Sequence, residues 1–240
     1  MRNDNDVFKE FQHSLRGLKG NLHVLETTVP VEKQMEYFRY SENVRERSGK
    51  ETVEKQIGVL NSIDSTPDEM KYAMTFLAIS GDVKAYRALE TYNKEPNNYL
   101  TDWAALSLLQ AKITLESEFS DEKQVFISTG LGGKDSKLRF YTFFKSNKLK
   151  PFSDYQRDLI EKEFSFTVQK YHGILEELQI ESNYFTLLFL IELEVDIKNM
   201  MKNTVAECNE YGNFINPNFI ITNVKVFSPE DIRRELKKND

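Results

Sequence analysis

The apolar residues of this chain change period once. Up to about residue 120 they recur at three and four residues, as on the face of a helix; beyond it, alternating and continuous aromatic runs appear. That single change bounds the fold. It asks for a helical region, 1–120, followed by a region, 121–240, in which strands and helices share a core, and so for an α+β protein. The 240 residues, 40% hydrophobic and 29% charged, are globular in composition and long enough to bury a core without disulfide staples.

In the first region, "DNDVFKEFQHSLRGL" places Val7, Phe8, Phe11, Leu15 and Leu18 at helical spacing, and "PVEKQMEYFRY" predicts a helix with Val31, Met35 and Phe38 inward. Four more helices follow over 51–118. Thr66 caps the second of them with Pro67 in its first turn; Asp82 and Thr101-Asp102 open the third and fourth. Aligning Val53 with Val83, and Tyr72-Ala73 with Trp103-Ala104, gives an offset of 30–31 residues, in the range of helical solenoids. On these residues, with Gly81-Asp82 between helices and Pro96 in the next loop, the stretch resembles HEAT-type repeats. The resemblance covers about two repeats and implies a helical groove for a protein partner. Tyr86, Tyr92, Tyr99 and Trp103 are the aromatic candidates for such a contact.

The second region reads as strands "QVFIST" and "KLRFYTFFKS", a long helix from Ser153 through Leu178, a buried strand "NYFTLLFLIELEV", a helix ending at Gly212, a strand "PNFIITNVKVF" and a helix capped by Ser228. The expectation is a two-layer α/β sandwich of order ββαβαβα, with parallel strands joined by right-handed crossovers.

Between its first two strands lies "STGLGGKDSK". Gly130, Gly132 and Gly133 with Lys134, Lys137 and Arg139 form a candidate phosphate loop, but the lysine lacks a following Ser or Thr and a strand comes next, which favours a hairpin connection with positive φ at the glycines. Lys134 to Lys150 is locally +5 in a chain of net charge −6. Alternation places Leu138, Phe140, Thr142 and Phe144 on one face and Arg139, Tyr141, Phe143 and Lys145 on the other, a residue set that stacks bases in single-stranded RNA readers or packs beneath another element. Glu192, Glu194 and Asp196 recur at period two and are candidate divalent-cation ligands at a strand end. The three histidines, His13, His23 and His172, have no metal-ligand spacing, and His172 reads as helical support for Glu176.

No catalytic constellation or cofactor motif is legible. The sequence alone therefore favours a non-enzymatic protein-interaction scaffold, with a small-ligand, phosphate or nucleotide site at Gly130–Lys137 as the alternative. The acidic balance disfavours nucleic acid as a partner. The lone Cys208, the absence of an apolar leader and the lack of any apolar run long enough to span a bilayer point to the cytoplasm.

Overall fold

The computed structural model describes residues 22–47, 49, 51–119 and 125–238. The helix expected over 4–18 lies outside them. The described residues form two compact units that meet in sequence between Thr129 and Gly130.

The first unit holds β1 (Leu22–Val24), α1 (Val31–Arg47), α2 (Val53–Asn61), α3 (Pro67–Ile79), α4 (Val83–Tyr92), α5 (Thr101–Phe119) and β2 (Val125–Ile127). Strands β1 and β2 pair in parallel, which ties residues 125–127 to the helical unit rather than to the sheet that follows. Helices α2 and α3 pack as one hairpin and α4 and α5 as a second, with α3 lying on α5. Local chemistry starts the helices. Thr52 accepts from Lys55 N, Thr66 and Glu69 form a reciprocal capping box, and Asp82 accepts from Lys84 N at 2.6 Å.

Helix α1 turns a different face inward from the one its apolar residues predict. Gln34, Tyr37, Ser41 and Val44 are buried, while Met35 and Phe38 are exposed. Hydrogen bonds decide this. Gln34 Nε2 donates to Val29 O at 2.7 Å and Thr129 O at 3.1 Å, and Tyr37 Oη and Ser41 Oγ both meet Gln110 Oε1. A buried polar side chain is tolerated when it is paired in this way.

The second unit is one antiparallel sheet with helices on both faces. Its elements are β3 (Gly133–Lys134), β4 (Lys137–Ser146), α6 (Asp154–Lys170), β5 (Ile174–Ile180), β6 (Tyr184–Glu192), α7 (Ile197–Asn209), β7 (Ile215–Thr222) and α8 (Pro229–Lys237). Strand β4 pairs β6 on one side and β7 with the short β3 on the other; β5 is the far edge. From β4 to β7 the order is β-α-β-β-α-β, the split βαβ arrangement. The protein is α+β as expected. The finer order and the parallel crossovers are corrected: the unit runs ββαββαβα, and every pairing in its sheet is antiparallel.

The missed strand is β5, which the helical reading of 153–178 absorbed. Helix α6 ends early because its C-terminus closes as a Schellman motif: His172 N donates to Gln169 O and Gly173 N to Val168 O, both at 2.9 Å, with His172 at φ 57°. His172 is thus a turn residue. Glu176 lies on β5 and pairs with Arg139 rather than with His172.

The core sits between the sheet and helices α6 and α7. Phe144 and Phe185 stack at 4.6 Å across β4 and β6, and Phe164 of α6 meets both edge-on at 5.0 and 4.9 Å. Helix α8 lies on the opposite face, over Tyr141, Phe143, Tyr184 and Leu188.

Candidate functional site

The glycine-rich run folds as a tight hairpin turn with Lys134, Asp135 and Ser136 exposed. Lys134 pairs with Lys137, so the connecting residues are Asp135 and Ser136, at φ 48° and 63°. Positive φ at both central residues is the type I′ hairpin geometry that matches strand twist. Of Gly130, Gly132 and Gly133, Gly132 alone is left-handed, at φ 66°. Gly130 is there for space: a Cβ would overlap Val224 O and lie 2.7 Å from its carbonyl carbon. Leu131 N donates to Asn223 O at 3.0 Å, and Gly132 O accepts from Arg139 N. Arg139 grips Glu176 with two bonds, of 2.5 and 2.9 Å, and reaches Leu131 O with a third. The Glu176 carboxylate raises the guanidinium pKa further. Lys137 faces Glu192 at 3.8 Å, and Lys134 is exposed.

The other candidates are dispersed. Strand β6 stops at Glu192 and the chain turns, so Glu194 and Asp196 do not continue its alternation; Asp196 caps α7 by accepting from Asn199 N at 3.1 Å. Among the described residues no group of three His, Cys, Asp or Glu side chains is placed to hold a metal ion. Trp103 is buried, donating to Thr75 Oγ1 at 3.0 Å, with Lys71 Nζ 4.8 Å over its ring. Tyr86 and Tyr92 pack against the same helical core, and Tyr99 is exposed. Cys208 is buried, and desolvation pushes its thiol up to about 12, which leaves it neutral and inert.

One cleft in the second unit does gather unusual chemistry. It has a volume of about 440 Å³ and is lined by the turn after β4 (Asn147, Lys148), the segment Lys150–Phe152, Gln156 at the start of α6, and the turn Gly212–Phe214 between α7 and β7. Lys148 and Lys150 are its charged groups, and none of its nine lining residues is acidic. Its backbone is held in sparsely populated conformations. Lys148, Leu149 and Asn213 stand at φ 56°, 53° and 47°, each a non-glycine in the left-handed region, with Gly212 at 139°. Each such residue costs about 1–3 kcal/mol and persists only where its surroundings impose it. Here they do. Asn147 N donates to Phe214 O at 2.7 Å, Asn147 Nδ2 to Asn213 O at 3.2 Å, and Phe152 N to Ser182 O at 2.7 Å. Below them Phe152 and Phe214 meet edge-on at 6.1 Å. Ser153 and Gln156 cap α6 reciprocally beside the cleft, so the positive end of that helix adds to the two lysines. Two exposed tyrosines adjoin the lining in sequence, Tyr155 next to Gln156 and Tyr211 next to Gly212.

Sequence reasoning counted Lys148 and Lys150 in the basic run but did not assign them to a site. The cleft needs the turn at 212–214, some sixty residues away in sequence, to be brought beside them. No local motif signals that approach.

No family model and no curated protein matches the chain. Among solved structures, the chain is similar to a protein from Deinococcus radiodurans R1 assigned as a transposase. The TM-score is 0.37 at 14% identity, over 42% of this chain and 89% of that one. It is also similar to a REP-associated tyrosine transposase bound to a REP hairpin, with TM-score 0.33 at 11% identity, over 48% of this chain and 67% of that one. These findings correct the expectations of a HEAT-type interaction scaffold, of a non-enzymatic protein and of a chain unsuited to nucleic acid. The matched structures are transposases, which are enzymes, and one of them was solved on a nucleic-acid hairpin. With TM-scores below 0.5, neither likeness assigns a role to any residue of this chain.

Proposed function

We propose that the second unit binds single-stranded nucleic acid in the cleft between Asn147–Phe152 and Gly212–Phe214. The observation that carries this reading is the pairing of two lysines and no lining carboxylate with exposed tyrosines beside the cleft, in a chain that is acidic overall. A backbone phosphate would sit between Lys148 and Lys150, close to the start of α6, where the positive end of the helix dipole favours an anion. Tyr155 and Tyr211 would take the flanking bases. Base–aromatic stacking requires unstacked bases, which a single strand offers and a duplex does not. The left-handed backbone at Lys148, Leu149 and Asn213 fixes the two turns before the ligand arrives, so little ordering cost falls on binding. A cytoplasmic location, read from the lone Cys208, goes with this proposal.

The test is fluorescence anisotropy with a labelled twelve-nucleotide strand across a salt series. Lys148→Ala with Lys150→Ala should weaken binding and reduce the slope of log affinity against log salt by about 1.4, since each single-strand phosphate contact contributes about 0.7. Tyr211→Ala should weaken binding by about 1–3 kcal/mol without changing the slope. Unaltered affinity and slope in the double lysine variant would refute the assignment.

A further inference from the structure

The sheet face opposite α6 and α7 presents Arg139, Tyr141, Phe143 and Lys145 from β4 and Tyr184, Thr186 and Leu188 from β6. These are the two central strands of the split βαβ sheet, and aromatics on a sheet face are a surface on which unstacked bases can stack. The face is closed by α8 and the segment leading to it. Phe227 lies 5.2 Å from the Tyr141 ring and 5.9 Å from Phe143, and Phe143 lies 5.7 Å from Tyr184. Burial pushes the Tyr141 hydroxyl up to about 12.

The cover is slight for what it closes. Helix α8 has nine residues, fewer than an isolated helix needs to persist in water. Its own apolar contribution to the cluster is Ile232 and Leu236, both only partly buried. Its first turn is fastened mainly to its own approach segment, through Asp231 to Ser228 and Lys225; the far end meets the sheet where Lys145 Nζ donates to Lys238 O at 3.2 Å. The face beneath is fully assembled without α8. Tyr141 and Phe143 are fixed by β-pairing on both sides, to Leu188 and Thr186 of β6 and to Thr222 and Ile220 of β7.

We propose that α8, together with the preceding segment that carries Phe227, is a displaceable cover over a second single-strand surface, on which bases stack against Tyr141, Phe143 and Tyr184. This inference rests on the sheet face and stands whether or not the cleft binds. The two surfaces differ in electrostatics. On the sheet face the Arg139 guanidinium is matched by Glu176. Binding there depends on stacking and is nearly insensitive to salt, whereas binding at the cleft is salt-dependent.

Two measurements on the full chain test this. In the first, hydrogen exchange of the α8 amides, Ile232–Lys237, is followed in the unaltered protein with and without excess twelve-nucleotide strand. Displacement predicts faster exchange with the strand; unchanged or slower exchange overturns the proposal. The second uses Ile232→Ala with Leu236→Ala, which loosens the cover and leaves every charge in place. Apparent affinity is reduced by the fraction of molecules that are open, so opening should tighten binding by about tenfold. The added affinity should be insensitive to salt and should persist when Lys148→Ala and Lys150→Ala are also present. Unchanged affinity, or self-association of the loosened protein in place of strand binding, overturns the proposal. Unaltered binding in the lysine variant with α8 intact counts against the cleft and not the sheet face. Should the loosened variant fail to fold, the exchange measurement decides by itself.

Discussion

Gly130→Ala tests the packing that closes the glycine-rich turn. The added Cβ would overlap Val224 O and lie 2.7 Å from the Val224 carbonyl carbon, and both neighbours are backbone. No side-chain rotation relieves that contact, so the 130–132 and 223–225 segments must separate. Overpacking of this kind costs about 1–3 kcal/mol. Separation also breaks the 3.0 Å bond from Leu131 N to Asn223 O, worth about 1 kcal/mol. It draws Leu131 out of the cluster beneath α8, where it is buried, losing part of the roughly 2 kcal/mol its burial supplies. Alanine restricts the unfolded chain and returns about 0.4–1 kcal/mol. The net expectation is a loss of about 3 kcal/mol. At a slope of about 2 kcal/mol per molar, this moves the urea midpoint down by about 1.5 M in far-ultraviolet circular dichroism. Gly58→Ala is the matched control. Gly58 lies inside α2 with nothing within 4 Å of a built Cβ, so alanine should raise stability by about 0.5–1 kcal/mol. A Gly130→Ala midpoint within 0.3 M of wild type would refute the reasoning, as would equal losses at both glycines.

Two further outcomes follow from buried titratable groups. Asp231 is held well below the ordinary carboxylate range, first by the Lys225 ammonium bonded at 2.6 Å and then by Ser228 N at 3.1 Å. A depressed folded value means that the contribution is complete above the unfolded value of about 3.9 and is lost as pH falls below it. Asp231→Asn should therefore lower thermal stability at pH 7 and converge on wild type towards pH 2; a deficit constant across that range would be evidence against the ion pairs. Cys208, with its thiol pushed up to about 12 by burial, should be silent to a disulfide reagent at pH 8 and give one full equivalent in denaturant. Rapid native labelling would contradict its burial.

Local chemistry was legible wherever neighbours in sequence decide the outcome. The caps at Thr66, Asp82, Ser153 and Ser228 are functions of three or four consecutive residues, and so is the alternation of β4 that separates Phe140 and Phe144 from Tyr141 and Phe143. The His172-Gly173 pair also carried a stop signal, but apolar Leu175 fell in helical register with Val168 and Tyr171, and periodicity outweighed it. At α1 the same preference for apolar residues chose Met35 and Phe38 over Gln34 and Ser41. Whether a polar residue is buried depends on partners such as Thr129 and Gln110, which lie some seventy or more residues away.

By itself the sequence determined a change from helical to mixed architecture, the starts of most helices, and two opposed faces on the central strand, because each is set by spacing along the chain. Tertiary structure decided the direction of the strands, the closure of one face by α8, and the meeting of Lys148 and Lys150 with the Gly212–Phe214 turn. Those depend on which distant segments pair, and pairing is selected by the free energy of the whole packed sheet, to which no short stretch of residues holds the key.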